Sequence, residues 1–264
     1  MADSFPILEL FARLADETRE FVEFDGNIED YAYDDKLVAH RSKRSFPDMI
    51  LRYGAMVEVK DSKSSTVTSF NSTYPSGRKS VLDIEKTTGQ KKRSIRESLK
   101  EAEDEPEFSE KRDVYYLVRT NREDNPTVSF VHGGYFGDSE SSAIAETLGD
   151  VLKEIRPDVD EDRYDDLLEI IDEEEHVRNH FSRTRKTSTG VKIRYRIMYE
   201  VDNDLNPNEH PEVPEGALSL LVPADRFASP DALDSAIDAD VETKRTEHGK
   251  PDREDEYYVA VSRP

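Results

Sequence analysis

Apolar residues recur along the chain at two different spacings, and each spacing predicts a type of secondary structure. Between residues 5 and 24 the spacing is nearly helical, with Ser4 as a candidate N-cap and Gly26 as the end of the helix. From residue 47 to residue 60 the apolar positions alternate, which predicts two short strands around a turn at Tyr53-Gly54-Ala55. The N-terminal quarter is therefore predicted to hold a helix followed by a β-hairpin.

The same patterns predict helices and strands over the rest of the chain. Residues 27–46 read as a loop or a short helix, and no internal repeat or clear linker follows. The fold class is therefore predicted as α/β, with a mixed central β-sheet flanked by helices in a single domain, 1–264. Strands are expected at 113–120, 127–132, 190–199, 217–222 and 257–262, and helices at 94–111, 139–155, 160–181 and 230–243.

The predicted hairpin separates an apolar face from a charged one. Alternation places Met49, Leu51, Val57 and Val59 on one side of the two strands. The opposite side carries Asp48, Glu58 and Lys60, and folding the hairpin brings the two carboxylates together with the ammonium group beside them. Such a group can hold a divalent cation and a phosphate, so we interpret it as a metal-dependent nuclease site. The alternative is that Glu58 and Lys60 form an ordinary exposed cross-strand ion pair.

The amino-acid composition excludes several kinds of catalytic and metal site. The chain has no cysteine, which excludes disulfides, thiolate catalysis and cysteine-based zinc sites, and its six histidines form no H-E-x-x-H cluster. No apolar run approaches the roughly 20 residues that span a membrane, and the N-terminus lacks a signal-peptide pattern. A cytoplasmic location without a membrane partner is therefore expected.

The formal charge of −22 argues at first against a nucleic-acid partner. The acidic excess is spread over most of the chain, as on the surface of a protein from a high-salt cytoplasm, and we hypothesise a halophilic origin. Basic islands at 36–47, 78–100 and 177–196 interrupt the acidity and predict a positive cleft in a negative body. The alternative is chance clustering along helices whose basic residues pair with acidic neighbours.

Two stretches are candidate DNA-contacting elements. Residues 61–79 are rich in hydroxyl and amide side chains, which suit contacts to phosphates and base edges, although a solvated linker has the same composition. The predicted strand at 190–199 carries a basic stripe that includes Arg194 and Arg196. The candidate contacts in the first stretch are Lys63, Ser64, Asn71, Ser72, Thr73, Tyr74, Arg78 and Lys79.

These motifs resemble those of a known enzyme family. The segments Phe46-Pro47-Asp48 and Glu58-Val59-Lys60 together resemble the PD-(D/E)XK nuclease motif. The run from Phe70 to Pro75 is similar to the Asn-Ser-Ser-Tyr-Pro segment of the gonococcal type II restriction endonucleases that cut GGCC. Residues 112–133 resemble the strand pair that those enzymes place next, so the likeness covers about residues 44–137.

The resemblance implies a restriction-endonuclease-like fold and a set of site residues. Asp48, Glu58 and the backbone carbonyl of Val59 would bind one or two Mg²⁺ ions, for which Mn²⁺ can substitute. Lys60 would orient the attacking water or stabilise the transition state. Related nucleases draw a further acid from the N-terminal helix, and both Glu17 and Glu20 remain candidates. The catalytic core would span about 5–155, with a basic C-terminal sheet extension at about 156–264.

The expected function is a type II restriction endonuclease that cuts double-stranded DNA at a short palindromic site. A homodimer is expected because a two-fold assembly matches a palindrome, and a companion DNA methyltransferase is expected in the same cell. Two alternatives stay open. One is a repair or junction-resolving nuclease with the same core, and the other is a non-catalytic DNA-binding protein.

Overall fold

The protein is described by a computed structural model in which one large sheet carries helices on both faces. Within the described residues the sheet has nine strands of mixed direction, which confirms the predicted mixed α/β class. A separate two-stranded pairing lies outside it. The structure describes residues 6–43, 45–65, 75–88, 91–137, 166, 185–186, 192–193, 203–248 and 254–262.

The helices are short, and those with described residues include none that is long and apolar enough to cross a membrane. The predicted helices at 139–155 and 160–181 lie outside the described residues, apart from residue 166. Helices with described bounds are α1 (Pro6–Ala15), α2 (Thr18–Val22), α3 (Ile28–Ala32), α4 (Val81–Thr88), α5 (Arg93–Ala102) and α6 (Pro230–Ala236).

The strands include every predicted one that falls within the described residues, although the strand at 190–199 is described only at residues 192–193. They are β1 (Val38–Arg41), β2 (Met49–Leu51), β3 (Met56–Asp61), β4 (Arg78–Lys79), β5 (Arg112–Thr120), β6 (Thr127–His132), β7 (Arg185–Lys186), β8 (Lys192–Ile193), β9 (Leu218–Pro223), β10 (Val241–Glu247) and β11 (Glu256–Ser262).

The strand order in the large sheet is β1-β2-β3-β5-β6-β9-β11-β10, and β4 pairs with the beginning of β5. The pairs β3–β5 and β6–β9 are parallel, and the other neighbours are antiparallel. A parallel pair needs a crossover connection, and the one from β3 to β5 contains α4 and α5. The hairpin β2–β3 therefore lies between an edge strand and a long central strand.

Two hydrophobic clusters cover the two faces of the sheet, as the alternation within the strands requires. On the first face, Met49, Leu51 and Val57 pack with residues of α1, α2, α3 and α6. On the second face, Ile50 and Met56 pack with residues of α4 and α5. The predicted grouping of Met49, Leu51 and Val57 is therefore confirmed, and Glu58 and Lys60 alternate onto the second face.

The predicted N-terminal helix at 5–24 is wrong as a single element. It is interrupted after Ala15 because the hydroxyl of Thr18 donates to the Ala15 carbonyl at 2.7 Å, and Thr18 also bonds Ser262 at 2.8 Å. A threonine that bonds nearby backbone competes with continuous helix formation. Residues 27–46 contain α3, a short helix as one of the two predicted alternatives, and also the strand β1, which the sequence pattern did not predict.

Two further predicted helices are too long. The helix expected at 94–111 ends at Ala102, because Glu103 turns into the interior, where it pairs with Arg112. The helix expected at 230–243 ends at Ala236, and Val241 begins β10 instead. Strand β10 pairs with β11 along its whole length, and most of its side chains face solvent because it is the edge of the sheet.

A buried arginine connects the N-terminal helices to the hairpin strand β3. Arg119 on β5 is fully buried and binds both carboxylate oxygens of Asp61, at 2.9 and 2.6 Å. It also donates to the carbonyls of Phe24 and Gly26, at 2.6 Å each. These four bonds satisfy a charge that would otherwise be costly to bury, and they hold the turn before α3 at the end of β3.

Candidate active site

The hairpin that carries the candidate site is held rigidly at its turn. Tyr53 adopts a left-handed backbone conformation, φ 53°, and its N–H donates to Glu103 Oε1 at 2.8 Å. Arg112 binds the same carboxylate at 2.9 and 2.5 Å and donates to the Gly54 carbonyl at 3.2 Å. A buried ion pair therefore fixes the closed end of the hairpin, and its open end carries the charged residues.

Asp48 occupies the position where main-chain pairing between the two strands ends. The last paired residues are Met49 and Val57, and beyond them Asp48 Oδ2 accepts the Val59 N–H at 2.8 Å. The Asp48 carbonyl in turn accepts the N–H of Ser42 at 2.8 Å. Because the N–H and C=O of one strand residue point to the same side, the Val59 carbonyl lies on the side of β3 on which Asp48 lies. The role of that carbonyl as a cation ligand stays a prediction.

Glu58 and Lys60 form a buried ion pair beside Asp48. The Lys60 ammonium donates to Glu58 Oε1 at 2.8 Å, and the two side chains are only 12% and 8% exposed. This burial contradicts the alternative of an ordinary exposed pair. The second oxygen, Glu58 Oε2, is buried and has no hydrogen-bond partner among the residues that the structure describes. A buried carboxylate oxygen without a partner is costly, and a bound cation would satisfy it.

The group of Asp48, Glu58 and Lys60 has two carboxylates and one ammonium, so negative charge is in excess. Burial, followed by the charge of Glu58, raises the pKa of the Asp48 carboxyl to about 7 from its ordinary 3.8, and the charge of Glu29 acts in the same direction. The Val59 N–H and the Lys60 ammonium oppose the shift without cancelling it. A site with two carboxylates, one backbone carbonyl and excess negative charge fits the ligand preferences of Mg²⁺ or Mn²⁺.

Glu29 is a third acid that the sequence patterns did not single out. It lies on α3, is 5% exposed and accepts a hydrogen bond from Arg41 at 2.8 Å. The predicted candidates lie elsewhere, since Glu17 and Glu20 are both exposed and Glu17 accepts the Tyr31 hydroxyl at 3.0 Å. Asn27 caps α3 by accepting the Glu29 N–H, and this capping pattern was the available sequence signal.

The third carboxylate does not complete a cage of protein ligands. In the part of the chain that the structure describes, no group of three or more histidine, aspartate or glutamate side chains is arranged to hold a metal ion. A cation at Asp48 and Glu58 would therefore take its remaining ligands from the Val59 carbonyl, water and a substrate phosphate. Mg²⁺ sites of this kind are common because the ion retains several waters.

The predicted DNA-contacting residues whose positions are described lie in two separate regions. Lys63 and Ser64 are exposed and follow directly after β3, where Lys63 pairs with Glu123. Arg78 is half exposed, but it pairs with Asp113 at 3.3 Å near the opposite end of β5. The other predicted contacts, Asn71, Ser72, Thr73, Tyr74, Arg194 and Arg196, lie outside the described residues.

The positions of Arg78 and Lys79 correct the sequence interpretation. Lys60 pairs with Val118 and Arg78 pairs with Asp113, so five residues of β5, on the order of 16 Å, separate them. Lys79 is only 4% exposed, and its ammonium lies 4.9 Å from the centre of the Phe46 ring. Lys79 is therefore a packing residue behind the Phe-Pro-Asp segment rather than a surface contact.

The raised pKa of Asp48 predicts an unusual pH dependence of stability. An acid with a higher pKa in the folded state binds protons more tightly there, so unfolding becomes easier as the pH rises from 3.8 through about 7. We expect metal-free protein in molar KCl to lose on the order of 2 kcal/mol over this window. Denaturant unfolding with EDTA measures the loss, and Mg²⁺ should reverse it. A flat profile, or one that rises with pH, would contradict the assignment.

Comparisons with known proteins do not extend this description. No protein-family model, curated protein or solved structure significantly matches the chain. The candidate site therefore rests on three residues: a carboxylate anchored to Val59, a buried carboxylate with one oxygen unbonded within the described part of the chain, and the lysine that bonds its other oxygen.

Proposed function

We propose that the protein is a Mg²⁺-dependent endonuclease of the PD-(D/E)XK type that hydrolyses phosphodiester bonds in double-stranded DNA. The observation that carries the proposal is a buried Glu58 oxygen to which no described residue donates a hydrogen bond, beside an Asp48 carboxyl of raised pKa. Excess negative charge in a buried site on rigid strands is typical of a cation site.

Each residue of the site has a distinct role in this proposal. Asp48 and Glu58 would hold the cation, and Asp48 is kept in position by the Val59 N–H. When bound, the cation supplies charge neutralisation at the phosphate and a bound water of lowered pKa. Lys60 is already ordered by Glu58, so its ammonium can orient the attacking water or donate to a phosphate oxygen without further loss of side-chain freedom.

The sheet architecture is compatible with a restriction-endonuclease-like fold. Strand β3 carries Glu58 and Lys60 and runs parallel to β5, with α4 and α5 in the connection. Helices cover both faces of the mixed sheet. Within the proposal, the protein is a type II restriction enzyme that acts as a homodimer on a palindromic site, alongside a companion DNA methyltransferase.

The test is incubation of the protein with plasmid DNA and Mg²⁺ in molar KCl. We expect discrete fragments from the unmodified protein and none from Lys60→Ala. Lys244→Ala is a matched control because this lysine also pairs with a carboxylate, Glu212 at 2.9 Å, but it is 55% exposed and lies on the edge strand β10. It should cut at the same sites. Unchanged cutting by Lys60→Ala would contradict the catalytic role assigned to Lys60.

Two other outcomes would favour the alternative functions. Cleavage confined to branched or junction substrates would indicate a structure-specific repair nuclease with the same site. Salt-tolerant DNA binding without cleavage, in Mg²⁺ and in Mn²⁺, would indicate a non-catalytic DNA-binding protein. The buried and charge-unbalanced Glu58 and Asp48 favour the catalytic form, because a binding protein has no need to maintain such a costly group.

The third acid gives a separate prediction. Because Glu29 contributes to the raised pKa of Asp48, we expect Glu29→Gln to reduce cleavage and metal affinity by about 10- to 100-fold. Glu17→Gln and Glu20→Gln change exposed residues and should leave both within about twofold. Mn²⁺ titration and cleavage rates measure the three variants side by side. A larger loss in Glu17→Gln or Glu20→Gln than in Glu29→Gln would contradict this choice of acid.

A further inference from the structure

A buried turn at residues 206–208 packs against the central strands β5 and β6. Asn206 caps a short 3-10 helix at Pro207–Glu209 by accepting the Asn208 N–H at 3.2 Å. Asn206 and Asn208 are 4% and 7% exposed. We refer to the segment Asn206-Pro207-Asn208 as the amide clamp.

Asn208 attaches the amide clamp to the central strands. Its Nδ2 group lies within hydrogen-bond distance of the Val118 carbonyl at 3.2 Å and of the Thr120 hydroxyl and Thr127 carbonyl at 2.9 Å each. Its Oδ1 accepts the Ser129 hydroxyl. These contacts join the end of β5 to the start of β6. They hold the amide clamp firmly on the sheet.

Asn206 extends the amide clamp to the segment that follows the catalytic strand. Its Nδ2 donates to the carbonyl of Ser65, which is 141 residues away in the chain. Backbone bonds hold the same segment from the side of β5, since Ser62 donates to Arg119 at 2.9 Å and the Ser64 carbonyl accepts from Asn121 at 3.0 Å. Residues 62–65 therefore continue beyond β3 with hydrogen bonds on two sides. Arg119 and Asn121 bond them on one side, and Asn206 bonds them on the other.

The amide clamp is close to the site. Lys60 pairs with Val118, and Val118 pairs with Ser129, so Lys60 and the Asn208-bonded serine are two strand spacings apart, about 10 Å. Residues 62–65 begin two positions after Lys60 and carry the exposed side chains of Lys63 and Ser64. A cation and hydroxyls at the end of a catalytic strand are suited to contact the DNA backbone.

We propose that Asn206 is a positioning residue that holds Lys63 and Ser64 against the DNA backbone next to the bond to be cut. This inference rests on the proposed nuclease function and adds a substrate contact to it. Ordering the segment before DNA arrives removes an entropic cost from binding. Loss of the Asn206 bond should therefore weaken DNA binding, while Asp48, Glu58 and Lys60 retain their own contacts.

The test uses Asn206→Asp in the full chain. The carboxylate keeps an oxygen for the Asn208 N–H but cannot donate to Ser65, so the tether is lost and the cap is retained. We expect KM for DNA to rise about tenfold, with kcat within about twofold. Hydrogen exchange should accelerate in the peptide that contains residues 61–65. Asn206→Ala serves as the second variant if the aspartate impairs folding.

Two controls separate positioning from a general structural effect. Asn125→Asp makes the same change at an exposed asparagine that bonds Glu215, and it should leave KM and exchange at 61–65 unchanged. If Asn206 acts through Lys63, the double variant Asn206→Asp/Lys63→Ala should bind DNA no more weakly than Lys63→Ala alone, within about twofold.

The outcomes distinguish this inference from the proposed function. Unchanged exchange at 61–65 in Asn206→Asp, or fully additive effects in the double variant, would overturn the positioning role even if the protein cuts DNA. Faster exchange at 61–65 together with the KM effect would support it. If the unmodified protein neither binds nor cuts DNA, the proposed function fails and the substrate contact is overturned with it, whereas the exchange data still report whether the tether exists.

Discussion

Replacement of Asp48 by asparagine is expected to abolish cleavage and, at the same time, to stabilise the metal-free protein. The change removes one of two carboxylates that would hold the cation, and we expect a loss of about 10³-fold or more in cleavage rate. The asparagine side-chain oxygen can still accept the Val59 N–H, so the end of the hairpin should remain in place. DNA binding without cleavage is therefore the expected state of this variant.

The gain in stability has an electrostatic cause. Above about pH 7, Asp48 is a partly buried anion next to the charge of Glu58, and burial and this repulsion together raise its pKa. A neutral amide of the same shape removes both penalties. We expect an increase in the free energy of unfolding on the order of 2 kcal/mol near pH 8 without metal.

The matched control is the same substitution at Asp113, an aspartate on β5. Asp113 forms ion pairs with Arg226 at 2.8 Å and with Arg78 at 3.3 Å. It lies far from the site along β5. Asp113→Asn should lower stability and leave cleavage intact. If Asp48→Asn instead destabilises the protein, or continues to cut DNA, Asp48 is an ordinary structural residue and the metal-site assignment is wrong.

The second large effect is expected at the closed end of the hairpin. Arg112→Leu leaves Glu103 buried without its cation and removes the donor to the Gly54 carbonyl. The two side chains of this pair are 7% and 3% exposed, so solvent cannot compensate the remaining carboxylate. We expect a loss of about 3–5 kcal/mol in the free energy of unfolding. For a chain of this size, that corresponds to roughly 10 °C in Tm.

An exposed ion pair provides the comparison for Arg112→Leu. Arg19 and Glu23 lie 3.4 Å apart with side chains that are 84% and 60% exposed, and Arg19→Gln should change stability by less than about 0.5 kcal/mol. A double-mutant cycle on Glu103 and Arg112 should give a coupling of about 1–3 kcal/mol. Equal small losses for Arg112→Leu and Arg19→Gln would show that the buried pair does not stabilise the hairpin turn.

Local alternation was sufficient to predict the central element of this protein. In a strand, side-chain direction depends only on whether positions are odd or even, so the sequence placed Met49, Leu51 and Val57 on the apolar face of a hairpin. It also placed Asp48, Glu58 and Lys60 on the other side. The structure brings these three together, with Lys60 bonded to Glu58 and Asp48 bonded to the next strand.

Features that depend on distant parts of the chain could not be predicted in this way. Glu29 acts on Asp48 from a five-residue helix whose position depends on Arg119, a residue 90 positions later in the chain. Lys79 reads as a surface cation in sequence, yet it is buried against Phe46. The burial of a charge is decided by what packs around it, and periodicity carries no information about that.

The predicted helix at 230–243 shows the same difference between local and distant determinants of structure. Ser229 and Pro230 start α6 as helix-capping rules predict, since Ser229 accepts the Ala232 N–H. The strand that follows it exists because β11 offers a complete row of partners from Val241 to Glu247. Sequence alone determined the hairpin and its charged trio, because adjacent positions define them. The third acid, the amide clamp and the edge strand were decided by tertiary structure, because each depends on pairing between distant segments.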